Sequence, residues 1–239
     1  MTEQAHHEVD EHHHRDVQGG TARAAVFGVS DGLVSNVGLI LGVAGADPAP
    51  SIVRLAGLAG LIAGAISMAA GEYNSMRVQT ELLERELELE RLEIKRNPEL
   101  ETAELAEVYE ARGMAANQAR EMAEAVMQDP EVALETHARE ELGVDPSQLG
   151  SPLGAATSSF TAFSVGALVP LVPWFLGSGT SAIVASLLAA VVAAVAVGFA
   201  IGRFTGRSIV RTVTRQILFT LVPAVLTFAV GSAVGVSGV

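Results

Sequence analysis

The sequence predicts an all-α membrane protein in which five spanning helices carry an acidic helical domain inserted between the second and the third. Three observations predict it. Of the 239 residues 49% are hydrophobic, and the mean hydropathy is +0.38. Those apolar residues are gathered into runs close to the roughly 20 residues that cross a bilayer, whereas a soluble chain disperses them. The excess of negative charge, a net −12, falls entirely within Glu72 to Gly150, where 20 acidic side chains meet 8 basic ones. Cysteine is absent, which excludes disulfide scaffolds, thiolate metal sites and thiol catalysis. Carboxylate, imidazole and thioether are the metal ligands that remain.

Residues 1–20 form a polar tail carrying His6, His7, His12, His13 and His14, a composition that binds transition metals weakly. The tail has no basic start followed by an apolar core, so no cleaved signal is expected and the first span is a retained helix. Residues 21–71 hold the first two spans. Ala24 to Ala46 is interrupted only by Asp31, a turn follows at Asp47, Pro48 and Pro50, and Leu55 to Gly71 is uncharged. Residues 72–150 are the acidic domain. Residues 151–239 hold three further uncharged runs, Ala155 to Leu176, Thr180 to Gly202 and Ile217 to Val239. Between the last two lie Arg203, Arg207, Arg211 and Arg215, while the connection Gly177 to Ser181 has no basic residue. The positive-inside rule therefore puts the arginine loop, the acidic domain and the N-terminus in the cytoplasm. A compact chain without an organelle-targeting extension fits a bacterial cytoplasmic membrane.

Within the acidic domain a helix runs from Glu72 to Arg96 with Leu82, Leu83, Leu87 and Leu89 on its apolar side. Three shorter helices follow, near Glu99 to Ala111, Ala115 to Gln128 and Pro130 to Leu142, punctuated by Gly113, Asp129 with Pro130, and Gly143. The glutamate spacing is the informative part. Glu86, Glu90 and Glu93 stand at i, i+4 and i+7, and Glu101, Glu104, Glu107 and Glu110 repeat every third residue. Glu86, Glu90 and the second series have no basic partner at helical spacing, whereas Glu81 has Arg85 and Glu88 has Arg91. Like charges so placed destabilise a helix by about 0.2–0.5 kcal/mol per pair. A solvated face is the ordinary meaning of such stripes. Packed antiparallel across a short turn at Asn97 and Pro98, they instead gather oxygens that a divalent cation relieves. His137 and Glu141, one turn apart, add an imidazole nitrogen and shift the preference toward transition metals. The Glu-x-x-His pair of carboxylate-bridged di-iron bundles is absent from the domain, occurring only at Glu3 to His6 and Glu11 to His14 in the tail. That counts against an enzyme.

In the membrane, Asp31 is costly, at least about 2.5 kcal/mol near a helix centre, and marks a functional site unless it is a hydrogen-bonded structural acid. Met68, Glu72 and Met76 fall on one face at i, i+4 and i+8. Methionine on a buried helix is usually core filler, but beside Glu72 and opposite Asp31 its thioether is a soft ligand for a dehydrated transition-metal ion. Gly28 with Gly32, Gly38 with Gly42, Gly60 with Gly64, and Gly198, Gly202 and Gly206 favour close helix association. Five helices make a thin wall for a pore, so a homodimer with the ion path between subunits is expected.

The segments Gly28-Val-Ser-Asp-Gly-Leu-Val-Ser, Ala65-Ile-Ser-Met-Ala-Ala-Gly-Glu-Tyr and Gly166-Ala-Leu-Val-Pro-Leu-Val-Pro, in that order, resemble the vacuolar iron transporter family, also called CCC1-like, from about Gly20 to the C-terminus. The resemblance implies a five-span dimer exporting cytosolic Fe²⁺, and often Mn²⁺, in exchange for protons, with the bilayer and the metal ions as its partners. It implies no organic cofactor and no nucleic acid. It also implies that Asp31 and Met68 line the membrane path, with Glu72 beside them, and that metal is gathered in the cytoplasmic helical metal-binding domain by Glu90, Glu93, Glu101, Glu104 and Glu141, with His137 at a position that can be Met in the family. Glu86, Glu107 and Met76 are further candidates from spacing. The acidic residue that some members carry before the first span corresponds to Gly20 or Thr21, a departure at that mouth. A membrane-anchored metal sensor or storage-docking protein that transports nothing is the alternative from a different class.

Overall fold

The computed structural model describes residues 20–146 and 150–237; the tail histidines lie outside them. The described elements are helices only: α1 Gly20–Gly45, α2 Pro50–Arg96, α3 Pro98–Ala111, α4 Ala116–Val126, α5 Pro130–Glu140, α6 Pro152–Leu171, α7 Pro173–Leu176, α8 Gly179–Thr205 and α9 Ile209–Ser237. Five of them, α1, α2, α6, α8 and α9, are long and apolar enough to cross a membrane, as the hydropathy runs predict, and the chain is a multi-pass membrane protein.

Helix α1 is the hub of the spanning bundle, touching α2, α6, α8 and α9. Its Leu33, Val37 and Leu41 pack on Ala190 and Ala194 of α8 and Ala224 of α9. Its Ile40 and Ala44 meet Val53, Leu171, Trp174 and Ala182. Small residues set the spacing: a Cβ at Gly32 would run into the Phe163 carbonyl of α6, and one at Gly166 into the Val29 carbonyl of α1. Gly38 and Gly42 face Thr227 of α9, whose hydroxyl donates to the Gly38 carbonyl at 2.7 Å. The glycine pairs that the sequence analysis assigned to helix association thus serve packing inside one chain.

Two boundaries differ from the sequence reading. The third span is broken into α6 and α7, because Pro173 has no N–H with which to continue the helix. The fifth begins at Ile209, eight residues earlier than the uncharged run, so Arg211 and Arg215 ride on the first turns of α9 and Arg203 on the last turn of α8. Only Arg207 sits in the connection, which turns at Gly206 with φ 64°, the left-handed conformation that favours glycine. Charges at helix ends reach water past the apolar part, so the uncharged window understates the helix.

Helix α2 continues without a break from the bundle into the acidic segment. Its 47 residues make a rod of about 70 Å at 1.5 Å per residue. Beyond the bundle α3 and α5 fold back on it, and α4 packs on them. Leu105 and Ala106 of α3 pack on Ala119 and Ala123 of α4, and Ile94 and Leu87 of α2 pack on Ala133 and Leu134 of α5. The apolar side of α2 here is therefore Leu87 and Ile94; Leu82 and Leu89 are exposed.

Candidate metal sites

The inward stripe of α2 in the acidic segment reads partly buried Leu87 and buried Glu90 and Ile94, the i, i+3, i+7 spacing of a packing face. A glutamate thus occupies a core position. The same holds on α3, where buried Glu101 precedes buried Leu105 by one turn, and on α5, where fully buried His137 follows Leu134 by three residues. The chain reverses at a single residue, Asn97, between α2 and α3. Asp129 caps α5, its Oδ1 accepting from the N–H groups of Glu131 at 3.0 Å and Val132 at 3.4 Å, which fixes the helix start and with it the direction of His137.

These elements bring Glu90, Glu101 and His137 together, with one ligand atom of each within 4.8 Å of the others. His137 Nδ1 lies 2.9 Å from Glu141 Oε1, 3.1 Å from Glu90 Oε1 and 3.8 Å from Glu101 Oε2. Two donors at about 2.1 Å from a metal and at right angles to each other stand about 3.0 Å apart, so the spacing already approximates a coordination shell. Glu90 Oε1 and His137 Nε2 are buried without a hydrogen-bond partner. Among the described residues no arginine or lysine pairs with Glu90, Glu101 or Glu141. The basic side chains go elsewhere, Arg91 to Glu88 and Arg112 to Glu140, and Glu81 pairs with Arg77 at 2.7 Å where the spacing had pointed to Arg85.

Burying carboxylates without a cation shifts their protonation. Burial above all pushes Glu90 up from 4.5 to about 7; His137 is the strongest neighbouring charge and opposes the rise, while Glu141, Glu101 and Glu93 add to it. Glu101 is raised by burial and by Glu104, with Glu141 and Glu93 adding and His137 opposing. Glu93 and Glu104 are exposed themselves but lie close enough to act on the buried pair. Glu86 is exposed on α2. Glu107 faces away, lining with Glu110 a groove between α3 and α4 that also holds Arg120 and Glu124. The stripe repeating every third residue therefore divides, because a spacing of 3 drifts around a helix of 3.6 residues per turn.

A second site lies in the bundle. Asp31, Ser35, Asn36 and Leu39 of α1, Gly60, Gly64, Ser67 and Met68 of α2 and Phe163 of α6 line a cavity of about 320 Å³. A Cβ at Gly64 would strike the Phe163 ring, so glycine there keeps the cavity open. Asp31 itself is exposed on the single chain. Glu72, one turn beyond Met68, is not in the lining; its Oε2 stands 3.6 Å from an Arg23 guanidinium nitrogen. Arg23 escaped the sequence reading as a partner, since nothing in either segment relates the start of α1 to the end of the second span. Met76 is buried against Gly150 at the approach to α6, with no part in the cavity. The 22 residues separating Met68 from Glu90 place the two sites about 33 Å apart along α2, with Glu72 about 27 Å from Glu90.

The profile of the VIT family matches residues 22–232, which includes both sites. The chain is 35% identical over 170 residues to vacuolar iron transporter 1 of Eucalyptus grandis, covering 71% of this chain and 68% of that protein. It is 34% identical over 170 residues to vacuolar iron transporter 1 of Arabidopsis thaliana, with coverage of 71% and 68%, and 31% identical over 180 residues to vacuolar iron transporter 1 of Oryza sativa, with coverage of 74% and 71%. All three carry a vacuolar name, and a bacterial membrane draws no support from them.

Proposed function

Since the chain belongs to the VIT family, we propose that it moves Fe²⁺, and Mn²⁺ with it, out of the cytosol across its membrane in exchange for protons. The observation that carries the reading is the cavity on the exposed face of the spanning bundle whose lining includes both a carboxylate, Asp31, and a thioether, Met68. An acid at that depth is expensive, and a cation passing through gives it a use. The acidic helices α3 to α5 and the lower part of α2 collect the ion on the cytoplasmic side, an orientation supported by Arg203, Arg207, Arg211 and Arg215 at one end of the bundle. Fe²⁺ binding to Glu90, Glu101, His137 and Glu141 displaces the proton that Glu90 holds near neutrality. The ion then leaves the cluster and travels about 27 Å along α2 to Glu72, where it competes with Arg23, before reaching Met68 and Asp31. Protons entering from the opposite side reset the carboxylates.

A homodimer fits this reading, because Asp31 is exposed on the single chain and a second copy over that face removes the carboxylate from lipid. Counter-transport tests the coupling. In liposomes carrying the protein, an imposed proton gradient accelerates Fe²⁺ flux and Asp31→Ala abolishes it; a flux indifferent to both removes the coupled mechanism. A sensor or docking protein, by contrast, needs the buried cluster and is unaffected by Asp31→Ala.

A further inference from the structure

The cavity holds a third acceptor that the Asp31 and Met68 pair does not account for. Asn36 follows Asp31 by five residues on α1 and is only 2% exposed. Its Nδ2 donates to the Ala167 carbonyl of α6 at 2.7 Å, which fixes the amide: a flipped side chain would set oxygen against oxygen. The Oδ1 is thereby turned to the other side, toward α2. It is buried without a hydrogen-bond partner, and a Cβ at Gly60 would come within 2.9 Å of it. Glycine at 60 leaves that oxygen room. A bare amide carbonyl in a membrane interior is costly, yet this one is pinned in place in the wall of the cavity that Asn36 lines.

The polar lining suits a cation. The Asp31 carboxylate, the Asn36 Oδ1 and the Met68 sulfur offer lone pairs and no hydrogen, and the Ser35 hydroxyl has turned its hydrogen to the Asp31 backbone carbonyl at 2.6 Å. Resting on the proposed transport function, we propose that Asn36 is a specificity-determining ligand of the membrane path, its Oδ1 coordinating the divalent ion between Asp31 and Met68. A neutral, hard oxygen adds affinity for Fe²⁺ and Mn²⁺ without adding a second negative charge to a site that must release its ion. It also balances the thioether, which on its own favours softer ions.

The test compares a hard ion with a soft one. Mn²⁺ and Cd²⁺ fluxes are measured in liposomes for the wild-type chain, Asn36→Ala, Asn36→Asp and Asp31→Ala. Asn36→Ala is expected to lower the Mn²⁺ to Cd²⁺ ratio by about tenfold, a scale set by the 10- to 100-fold cost of losing a group that supports a metal. Asn36→Asp, which retains an oxygen, keeps the ratio at or above that of the wild type. An Asn36→Ala chain that loses both ions by one factor, or neither, overturns the proposal, since a brace between α1 and α6 has no preference among ions. Should Asn36→Ala pass no ion, the ratio is read instead from binding affinities in a Glu90→Ala, His137→Ala background, with the same outcomes deciding. A wild-type chain that moves neither ion, or moves them as well with Asp31→Ala, refutes transport itself and is distinguished from a failure confined to Asn36.

Discussion

Replacing Glu90 with glutamine should stabilise the protein without metal and remove most of its response to metal. The side chain is 9% exposed, sits at a core position, and is raised from 4.5 to about 7. At about 1.4 kcal/mol per pKa unit, keeping it ionised in the fold costs up to about 3 kcal/mol above pH 7. The sign follows from proton binding: between 4.5 and about 7 the folded state holds a proton that the unfolded chain has released, so stability falls as pH rises through that window and is level above it. Glutamine has the same shape and no charge. Allowing about 1 kcal/mol for imperfect hydrogen bonding of the buried amide and some relief by counter-ions, Glu90→Gln gains about 1–2 kcal/mol at pH 8 and nothing near pH 4. With metal the order reverses. At a free ion concentration of one hundred times the wild-type Kd, binding stabilises by about 2.7 kcal/mol, and a hundredfold weaker site retains about 0.4 kcal/mol. Thermal unfolding of the full chain in detergent, anaerobically, at pH 4 and pH 8 without metal and at pH 8 with Fe²⁺, measures all four quantities. A variant less stable than wild type at pH 8 without metal, or one that keeps the full Fe²⁺ shift, refutes the reasoning.

Three further outcomes are expected. Metal affinity of the acidic helices should fall by up to tenfold for each pH unit below about 7 per proton displaced, because Glu90 and Glu101 are both raised; calorimetric titration from pH 5.5 to 8 checks it, and a flat profile contradicts it. Gly32→Ala should destabilise the bundle by about 1–3 kcal/mol, since the new methyl meets the Phe163 backbone carbonyl rather than a side chain that can turn aside; a lowered melting temperature in detergent is the readout, and an unchanged one denies the close α1–α6 contact. Leu105→Ala, at a fully buried position between α3 and α4, should cost about 2–5 kcal/mol and hasten proteolysis in the acidic helices; equal resistance to protease denies that core.

Much of this was legible in the residues. The apolar runs gave the five long helices because an α-helix satisfies its own backbone in lipid, and length with hydropathy is then enough to find it. The unpaired glutamates lie on α2 and α3, the helices whose Glu90 and Glu101 are buried. Their stripe could not say which members turn inward, because that depends on which helix packs where: Glu101 is buried against α2 and α5, while Glu107 lines the groove toward α4. Leu87 and Ile94, flanking Glu90 at core spacing, were the available signal, and weighing charge apart from burial concealed it. The Arg23–Glu72 contact and the pinned Asn36 amide join segments far apart in sequence, so spacing along one helix carries no trace of them. The broken third span was marked by Pro173, and the early start of α9 was hidden because arginines at helix ends look like loop.

The central claim is that the Asp31–Met68 cavity passes an ion which the Glu90–Glu101–His137 cluster collects. Initial rates of Fe²⁺ flux in liposomes, taken over a range of Fe²⁺ for wild type, Asp31→Ala and Glu90→Ala, test it most directly. The account predicts no flux at any concentration with Asp31→Ala, and with Glu90→Ala a flux reduced at low Fe²⁺ that recovers at high Fe²⁺. Wild-type flux in Asp31→Ala, or no flux in the wild-type chain, would contradict it.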